Sequence, residues 1–288
     1  MVMCDGMRIT VSKRLFWSVV LPLPLALIAT VYVASPKAPI DPPEEKPRPA
    51  QVGDLSKAAK AAKGGTDKGF PGHGYTETYE RFVAMWKNEP IRIFEIGIAD
   101  GGSLSMWQTY FPFASIYGVD INEASRFENA RVKTCIADQS KRDQLKNCLE
   151  KFGGQFDLLI DDGGHSMEQQ QVSLGFLFPY VRRGGFYALE DMHTSMPNIY
   201  PGFGVEANEV NTTLNMVFKF IHSAPPKFES KYMLPTELAY LDAEVETADL
   251  HLGNNANHSI MCVFKKRAPQ PTEAETSVPL DASSNIRP

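Results

Sequence analysis

An α/β domain built on a mostly parallel sheet is the fold this sequence predicts, and three observations predict it. Between about residues 90 and 190, short apolar runs alternate with stretches of helical periodicity, as stacked βαβ units require. Glycines and carboxylates follow the apolar runs, at the strand ends where an open parallel sheet gathers its ligands. Near the end, two more apolar runs flank Gly253-Asn254-Asn255, which reads as an antiparallel hairpin at the sheet edge. The expected architecture is three layers, helix on sheet on helix.

The elements follow in order. Tyr75, Tyr79, Phe82, Val83 and Trp86 recur at helical spacing, so a helix over 75–86 packs on the sheet or over its mouth, its aromatic stripe read as core. Residues 91–97 (IRIFEIG) form the first strand, 103–110 a helix, 115–121 (SIYGVDI) the second strand and 132–137 the third. Residues 156–161 (FDLLID) are the fourth strand. A helix follows over 166–181, with Leu174, Leu177, Phe178 and Val181 on its apolar side. Arg183-Gly184-Gly185 then turns the chain into strand five at 186–189, and 247–252 and 259–265 are the hairpin strands.

The flanks differ from this pattern. Residues 15–34 (LFWSVVLPLPLALIATVYVA) are uncharged and match the roughly 20 residues a helix needs to cross a bilayer. Arg8, Lys13 and Arg14 precede them, which favours a cytoplasmic N-terminus over 1–14 and a single-pass type II anchor with the domain lumenal or extracytoplasmic. A cleaved signal and a secreted chain are the alternative, although Tyr32 and Pro36 suit cleavage poorly. Residues 35–63, rich in Pro, Lys, Glu and Ala, read as a stalk, residues 64–267 as the folded domain and 268–288 as a disordered tail.

A formal net charge of −5 with no basic stripe excludes a general nucleic-acid binder. The four cysteines have neither metal-ligand spacing nor the pattern of a disulfide framework; Cys135 and Cys148 are either bridged or two buried thiols. Asn211-Thr212-Thr213 and Asn257-His258-Ser259 match the N-glycosylation pattern, which suits a lumenal glycoprotein. The oligomeric state is open, homo-oligomers included.

The chemistry is expected at the strand ends. Strand one runs into Glu95, Gly97, Asp100, Gly101, Gly102 and Ser103, where glycines let the backbone approach a ligand before a helix begins. Asp120, ending strand two, is placed to accept ribose hydroxyls, and Asp138 and Gln139, after strand three, to reach an adenine. Together these three strand ends favour an adenosine-containing ligand. Asp161-Asp162-Gly163-Gly164-His165 follows strand four and Glu190-Asp191 follows strand five. Carboxylates on adjacent strand ends repel unless a cation neutralises them, and hard oxygens suit Mg²⁺ or Ca²⁺ better than zinc. His165, three residues after Asp162, is then the expected base.

These residues, taken in order, resemble the metal-dependent class I O-methyltransferases of macrolide sugars and the cephalosporin-hydroxylase-like proteins. The resemblance covers roughly residues 65–265. It rests on Gly65-Thr66-Asp67-Lys68 with His73 and Tyr75, on Phe94-Glu95-Ile96-Gly97 with Gly101-Gly102-Ser103-Leu104 and Trp107, and on Gly118-Val119-Asp120-Ile121. Ala137-Asp138-Gln139-Ser140, Ile160-Asp161-Asp162-Gly163-Gly164-His165, and Gly184-Gly185 leading to Leu189-Glu190-Asp191 complete it. Where the family usually has Ser, Gly164 stands here.

The resemblance implies a Rossmann-like class I methyltransferase fold with S-adenosyl-L-methionine bound at Glu95, Gly97, Asp120 and Asp138, to which Gly101, Ser103, Gln139 and Asp161 are added as neighbours in the same motifs. It implies Mg²⁺ on Asp162, Glu190 and Asp191, with His165 as general base and Asp162 beside it in the catalytic set. The expected acceptor is a hydroxyl of a small molecule or glycan bearing a sugar or diol. Two rivals stand beside this reading. An NAD-dependent dehydrogenase would use the same loop and Asp120, yet the sequence lacks Gly-x-Gly-x-x-Gly. A non-catalytic nucleoside-binding scaffold is the other. The Pro- and Gly-rich segment over 192–215 is either a lid bearing acceptor contacts His193, Tyr200 and Phe203 or an ordinary connection.

Overall fold

The computed structural model describes residues 9–10, 53–205, 210–222, 228–253 and 259–269. Its strands are β1 (Ile9–Thr10), β2 (Arg92–Ile96), β3 (Ser115–Asp120), β4 (Val132–Ile136), β5 (Phe156–Asp161), β6 (Val181–Leu189), β7 (Val245–Leu252) and β8 (Ile260–Lys266). The helices are α1 (Asp54–Ala61), α2 (Tyr75–Val83), α3 (Gly102–Tyr110), α4 (Arg142–Phe152), α5 (Met167–Leu177), α6 (Thr213–Ile221) and α7 (Pro235–Glu244). One sheet runs β1-β7-β8-β6-β5-β2-β3-β4. Strands β4, β3, β2, β5 and β6 are parallel; β8 adds antiparallel to β6, and β7 antiparallel to β8, as the expected hairpin pair.

Alternation along each strand builds the two cores. Ile93, Ile116, Leu158, Ile160 and Ala188 face α1, α2 and α3, where Trp107, Tyr75 and Tyr79 are fully buried or nearly so. Their neighbours Phe94, Tyr117, Leu159, Tyr187 and Leu189 face α4 to α7. The three layers are as expected. Helices α4, α6 and α7 were not foreseen, although Leu145, Cys148, Leu149 and Phe152 mark one face of α4 at the spacing that a helix requires.

Several expectations are corrected. The stalk does not reach residue 63: α1 buries Leu55, Ala58 and Ala59 against the domain, and the Glu80 carboxylate accepts the amides of Gly53 and Leu55 at its start. Residues 35–52 lie outside the described residues. Strand β6 begins at Val181 rather than after the Gly184-Gly185 turn: Val181 already pairs with Phe156, and the chain then bulges through Gly184 (φ +80°) before Phe186 resumes the pairing opposite Leu158. Cys135 and Cys148 are joined by a disulfide, their Cα atoms 5.7 Å apart, so the two-thiol alternative falls.

The membrane reading is also overturned. A type II anchor puts residues 1–14 and the domain on opposite sides of a bilayer. Ile9 and Thr10 instead pair antiparallel with Leu250 and Asp249 at the edge of the domain's own sheet. One crossing between residues 10 and 53 would separate two segments that the fold holds together. Among the described residues no helix is long and apolar enough to cross a membrane, and residues 15–34 lie outside them. The anchor, the membrane as partner and the lumenal or secreted placement are therefore withdrawn. The glycoprotein expectation goes with them: the hydroxyl residue of the first acceptor site, Thr213, is wholly buried, and Asn257 of the second lies outside the described residues.

Candidate active site

The sheet order reverses at β2, which has β3 on one side and β5 on the other. At such a switch point the loops after the strands diverge and leave a crevice. Here it is a cavity of about 640 Å³ whose lining includes Gly97, Ser103, Asp120, Asp138, Gln139, Asp162, His165 and Asp191. Glycine is required at its throat: a Cβ on Gly97, whose φ is +88°, would lie 1.8 Å from the Asp162 carbonyl oxygen. Asp120 accepts the amides of Ile98 (2.8 Å), Ala99 (3.1 Å) and Asn122 (2.8 Å), so its carboxylate shapes the loop that follows β2. Asp138 holds the next loop by accepting the Ser140 amide and hydroxyl, each at 2.8 Å. Gln139 joins two loops, accepting the Gly164 amide at 2.7 Å and donating to Asp161 at 2.9 Å.

Three residues expected at the cofactor, Glu95, Gly101 and Asp161, do not line the cavity. The reason for the two acids is strand parity. Asp161 points to the α4–α7 side, where Ser173, Tyr187 and Gln139 donate to it. Burial pushes its carboxyl up to about 6 against those bonds. Glu95 points to the other side, where Trp107 Nε1 donates to it at 2.9 Å, and burial raises it to about 7. Gly101 sits in left-handed backbone (φ +78°) ahead of α3, packed beneath Phe127.

Asp162 and Glu190 share Glu95's parity, and between the three lies Lys68, fully buried. Its Nζ donates to Asp162, to Glu190 Oε1 at 2.9 Å, and pairs with Glu95 Oε1 at 3.3 Å. Burial alone would lower the Lys68 pKa, but the three carboxylates more than reverse this and raise it well above the usual lysine value. The neutralising cation that the clustered acids demand is thus, in part, covalently built in. Sequence reading missed its role: Lys68 stands in the run Gly65-Thr66-Asp67-Lys68, and a loop lysine carries no local sign that it is buried. Glu190 also accepts from Tyr79 OH, and burial followed by the Asp162 charge raises its carboxyl well above the ordinary range.

Asp162, His165 and Asp191 bring one donor atom each within 4.8 Å of one another, as a metal site would need. Glu190, expected as a third acidic ligand, lies behind this group on Lys68 and Tyr79. His165 Nε2 is 3.9 Å from Asp162 and 3.5 Å from Asp191. Asp191 accepts from Tyr75 OH at 2.9 Å, and burial raises its carboxyl. Ser166 begins α5 immediately after His165 with a capping box, its hydroxyl accepting from Gln169 N and the Gln169 side chain accepting from Ser166 N. Ala99, His165 and Asp191, all lining the cavity, have left-handed backbone at φ +45°, +57° and +55°. Such strain persists where surrounding structure enforces it, and it collects at functional sites.

The segment after Asp191 is a buried 3₁₀ turn, Met192–Ser195, rather than an open lid base. Thr194 donates to the His165 carbonyl at 2.7 Å, and His193 packs on Tyr200 with ring centres 4.5 Å apart. The Phe203 carbonyl accepts the Met167 amide, which lays this segment back on α5; residues 206–209 lie outside the described residues.

Comparison with known proteins shows what the chain is similar to. The chain is 38% identical over 143 residues to the mycinamicin VI 2''-O-methyltransferase of Micromonospora griseorubida, covering 47% of this chain and 35% of that enzyme. To the demethylmacrocin O-methyltransferase of Streptomyces fradiae it is 37% identical over 161 residues, 52% of this chain and 40% of the relative. The solved MycE methyltransferase of the mycinamycin biosynthetic pathway, in complex with Mg, SAH and mycinamycin VI, superposes with a TM-score of 0.60 at 30% identity, over 75% of this chain and 55% of that one. This chain is a homologue of sugar O-methyltransferases. Its sheet matches the Rossmann-like class I methyltransferase fold, and the cavity lies at that fold's switch point. The homologue spans half or less of the length of the curated relatives it matches. No protein-family model matches the chain.

Proposed function

We propose that this chain is an S-adenosyl-L-methionine-dependent O-methyltransferase. It moves a methyl group to a hydroxyl of a sugar or other diol-bearing small molecule or glycan. The observation that carries the reading is the convergence on one cavity wall of Asp162, His165 and Asp191, next to loops shaped by Asp120 and Asp138. In this reading Gly97, Ser103, Asp120, Asp138 and Gln139 form the donor site, and the catalytic unit runs from α1 through Arg267.

The acid group fits Mg²⁺ on the chemistry of its donors: hard carboxylate oxygens, crowded enough that burial and mutual repulsion raise Glu190 and Asp191 even with Lys68 present. Asp162 and Asp191 would hold the ion, with Glu190 completing the acid set from behind. When bound, the ion supplies a positive charge that stabilises the acceptor as an oxyanion. His165 takes the hydroxyl proton on Nε2, the atom that faces Asp162 and Asp191. Much of the remaining contribution is orientation, since the loops around the cavity are fixed by bonds within the protein before any ligand arrives.

The test is calorimetric titration of the full chain with S-adenosylmethionine and with NAD, each with and without Mg²⁺, followed by transfer of labelled methyl to a panel of sugars and diols. Binding of S-adenosylmethionine and Mg²⁺-dependent transfer are expected, with Asp162→Asn lowering turnover at least 100-fold at unchanged far-ultraviolet circular dichroism. NAD binding in its place, or an Asp162→Asn variant with wild-type turnover, would overturn the reading.

A further inference from the structure

The segment from Ala62 to Lys68 lies across the glycine-rich loop as a strap. Gly65 N donates to Ala62 O, and Lys63 N donates to Ser105 Oγ on α3. The contact between strap and loop is so close that a Cβ on Gly102 would lie 1.3 Å from the Gly65 carbonyl oxygen. Gly64, Gly65, Thr66 and Asp67 line the donor cavity, so the strap is one of its walls. The next residue, Lys68, turns inward and spends its ammonium group on Asp162, Glu190 and Glu95. Glu95 Oε1 is buried with no hydrogen-bond partner among the described residues, which leaves this ion pair as its compensation. Asp162 meets Lys68 with Oδ2 and turns Oδ1 toward His165.

From this geometry we infer that Lys68 is a positioning residue serving two sites at once: it pins the strap over the donor and fixes both the orientation and the net charge of the acids that face the acceptor. The inference rests on the proposed methyltransferase reading for the identity of the ligands. Two consequences separate it from a merely structural role. Removing the ammonium charge leaves the acid cluster more negative, so a divalent cation is drawn in more strongly. Releasing the strap weakens the donor, whose wall it forms, while the acids are still present.

The experiment uses the full chain as wild type, Lys68→Met and the charge-balanced pair Lys68→Met with Glu95→Gln, which loses one positive and one negative group together. Mn²⁺ binding is read by electron paramagnetic resonance and S-adenosylhomocysteine binding by calorimetry, with binding stoichiometry reporting the folded fraction. Mn²⁺ is expected to bind at least tenfold more tightly to Lys68→Met and to return within threefold of wild type in the double variant. S-adenosylhomocysteine is expected to bind at least tenfold more weakly to both. Where Lys68→Met does not fold, the double variant alone decides on the S-adenosylhomocysteine result. A folded double variant that binds S-adenosylhomocysteine within threefold of wild type overturns the role of Lys68 and leaves the methyltransferase reading standing. Wild-type protein that binds neither probe overturns both.

Discussion

Asp161 and Asp162 are consecutive, yet they serve opposite faces of the sheet. The period of two along β5 sends Asp161 into the α4–α7 core, where the hydroxyls of Ser173 and Tyr187 and the amide of Gln139 donate to it. Its carboxyl is nevertheless raised by burial from 3.8 to about 6. A raised folded-state value means stability that is fully present below the unfolded pKa and lost as pH climbs through about 6. The shift corresponds to about 3 kcal/mol. Asp161→Asn should therefore be flatter than wild type: in urea unfolding at pH 4 and pH 7, the wild type is expected to lose about 2 kcal/mol more than the variant across that interval, since part of the effect is already lost at pH 4. Equal pH dependence in the two proteins would show that Asp161 is not the titrating group.

At the scale of elements, the site is assembled by close approach of backbone. The strap crosses the start of α3 at Gly102, where any side chain would enter the Gly65 carbonyl. Gly102→Ala must push the strap outward or shift α3. Overpacking of this kind costs about 1–3 kcal/mol, and the cavity loses part of a wall. We expect a lower melting temperature together with at least tenfold weaker S-adenosylhomocysteine binding, read by calorimetry. Gly153→Ala is the control: Gly153 has a positive φ that Gly102 lacks, so the change is strained, but its Cβ meets nothing within 4 Å. Weakened ligand binding in that control as well would remove the strap from the explanation.

The whole molecule depends on a helix that composition alone assigns to the stalk. Helix α1 buries Leu55, Ala58 and Ala59 and leaves Glu80 bonded to the amides of Gly53 and Leu55. Deleting it exposes the apolar surface of α2 and α3 beneath, at a cost of about 3 kcal/mol. For a domain of this size that is a drop of roughly 10 °C. A chain starting at Gly64 should melt lower than one starting at Gly53 by about this amount in differential scanning calorimetry. Coincident melting would place α1 outside the cooperative unit.

The order of strands one to five, their polar ends and the hairpin were legible because each is encoded locally, by alternation of apolar runs and by glycines that the loops require. The acid-bearing motifs were legible for the same reason. Proximity along the sequence, however, could not say which acids meet. The sheet's parity separates Asp161 from Asp162 and unites Glu95, Asp162 and Glu190, and only the packing of α2 and the strap brings Lys68, Tyr75 and Tyr79 to them. An apolar run of bilayer length likewise reads as an anchor until Ile9 and Thr10 are found on the domain's own sheet edge. Local pattern thus determined the fold class and the polar strand ends that line the cavity. Which carboxylate is neutralised, which faces the cavity and where the domain begins were decided by contacts between residues distant in the chain, because burial and charge compensation are properties of the packed state alone.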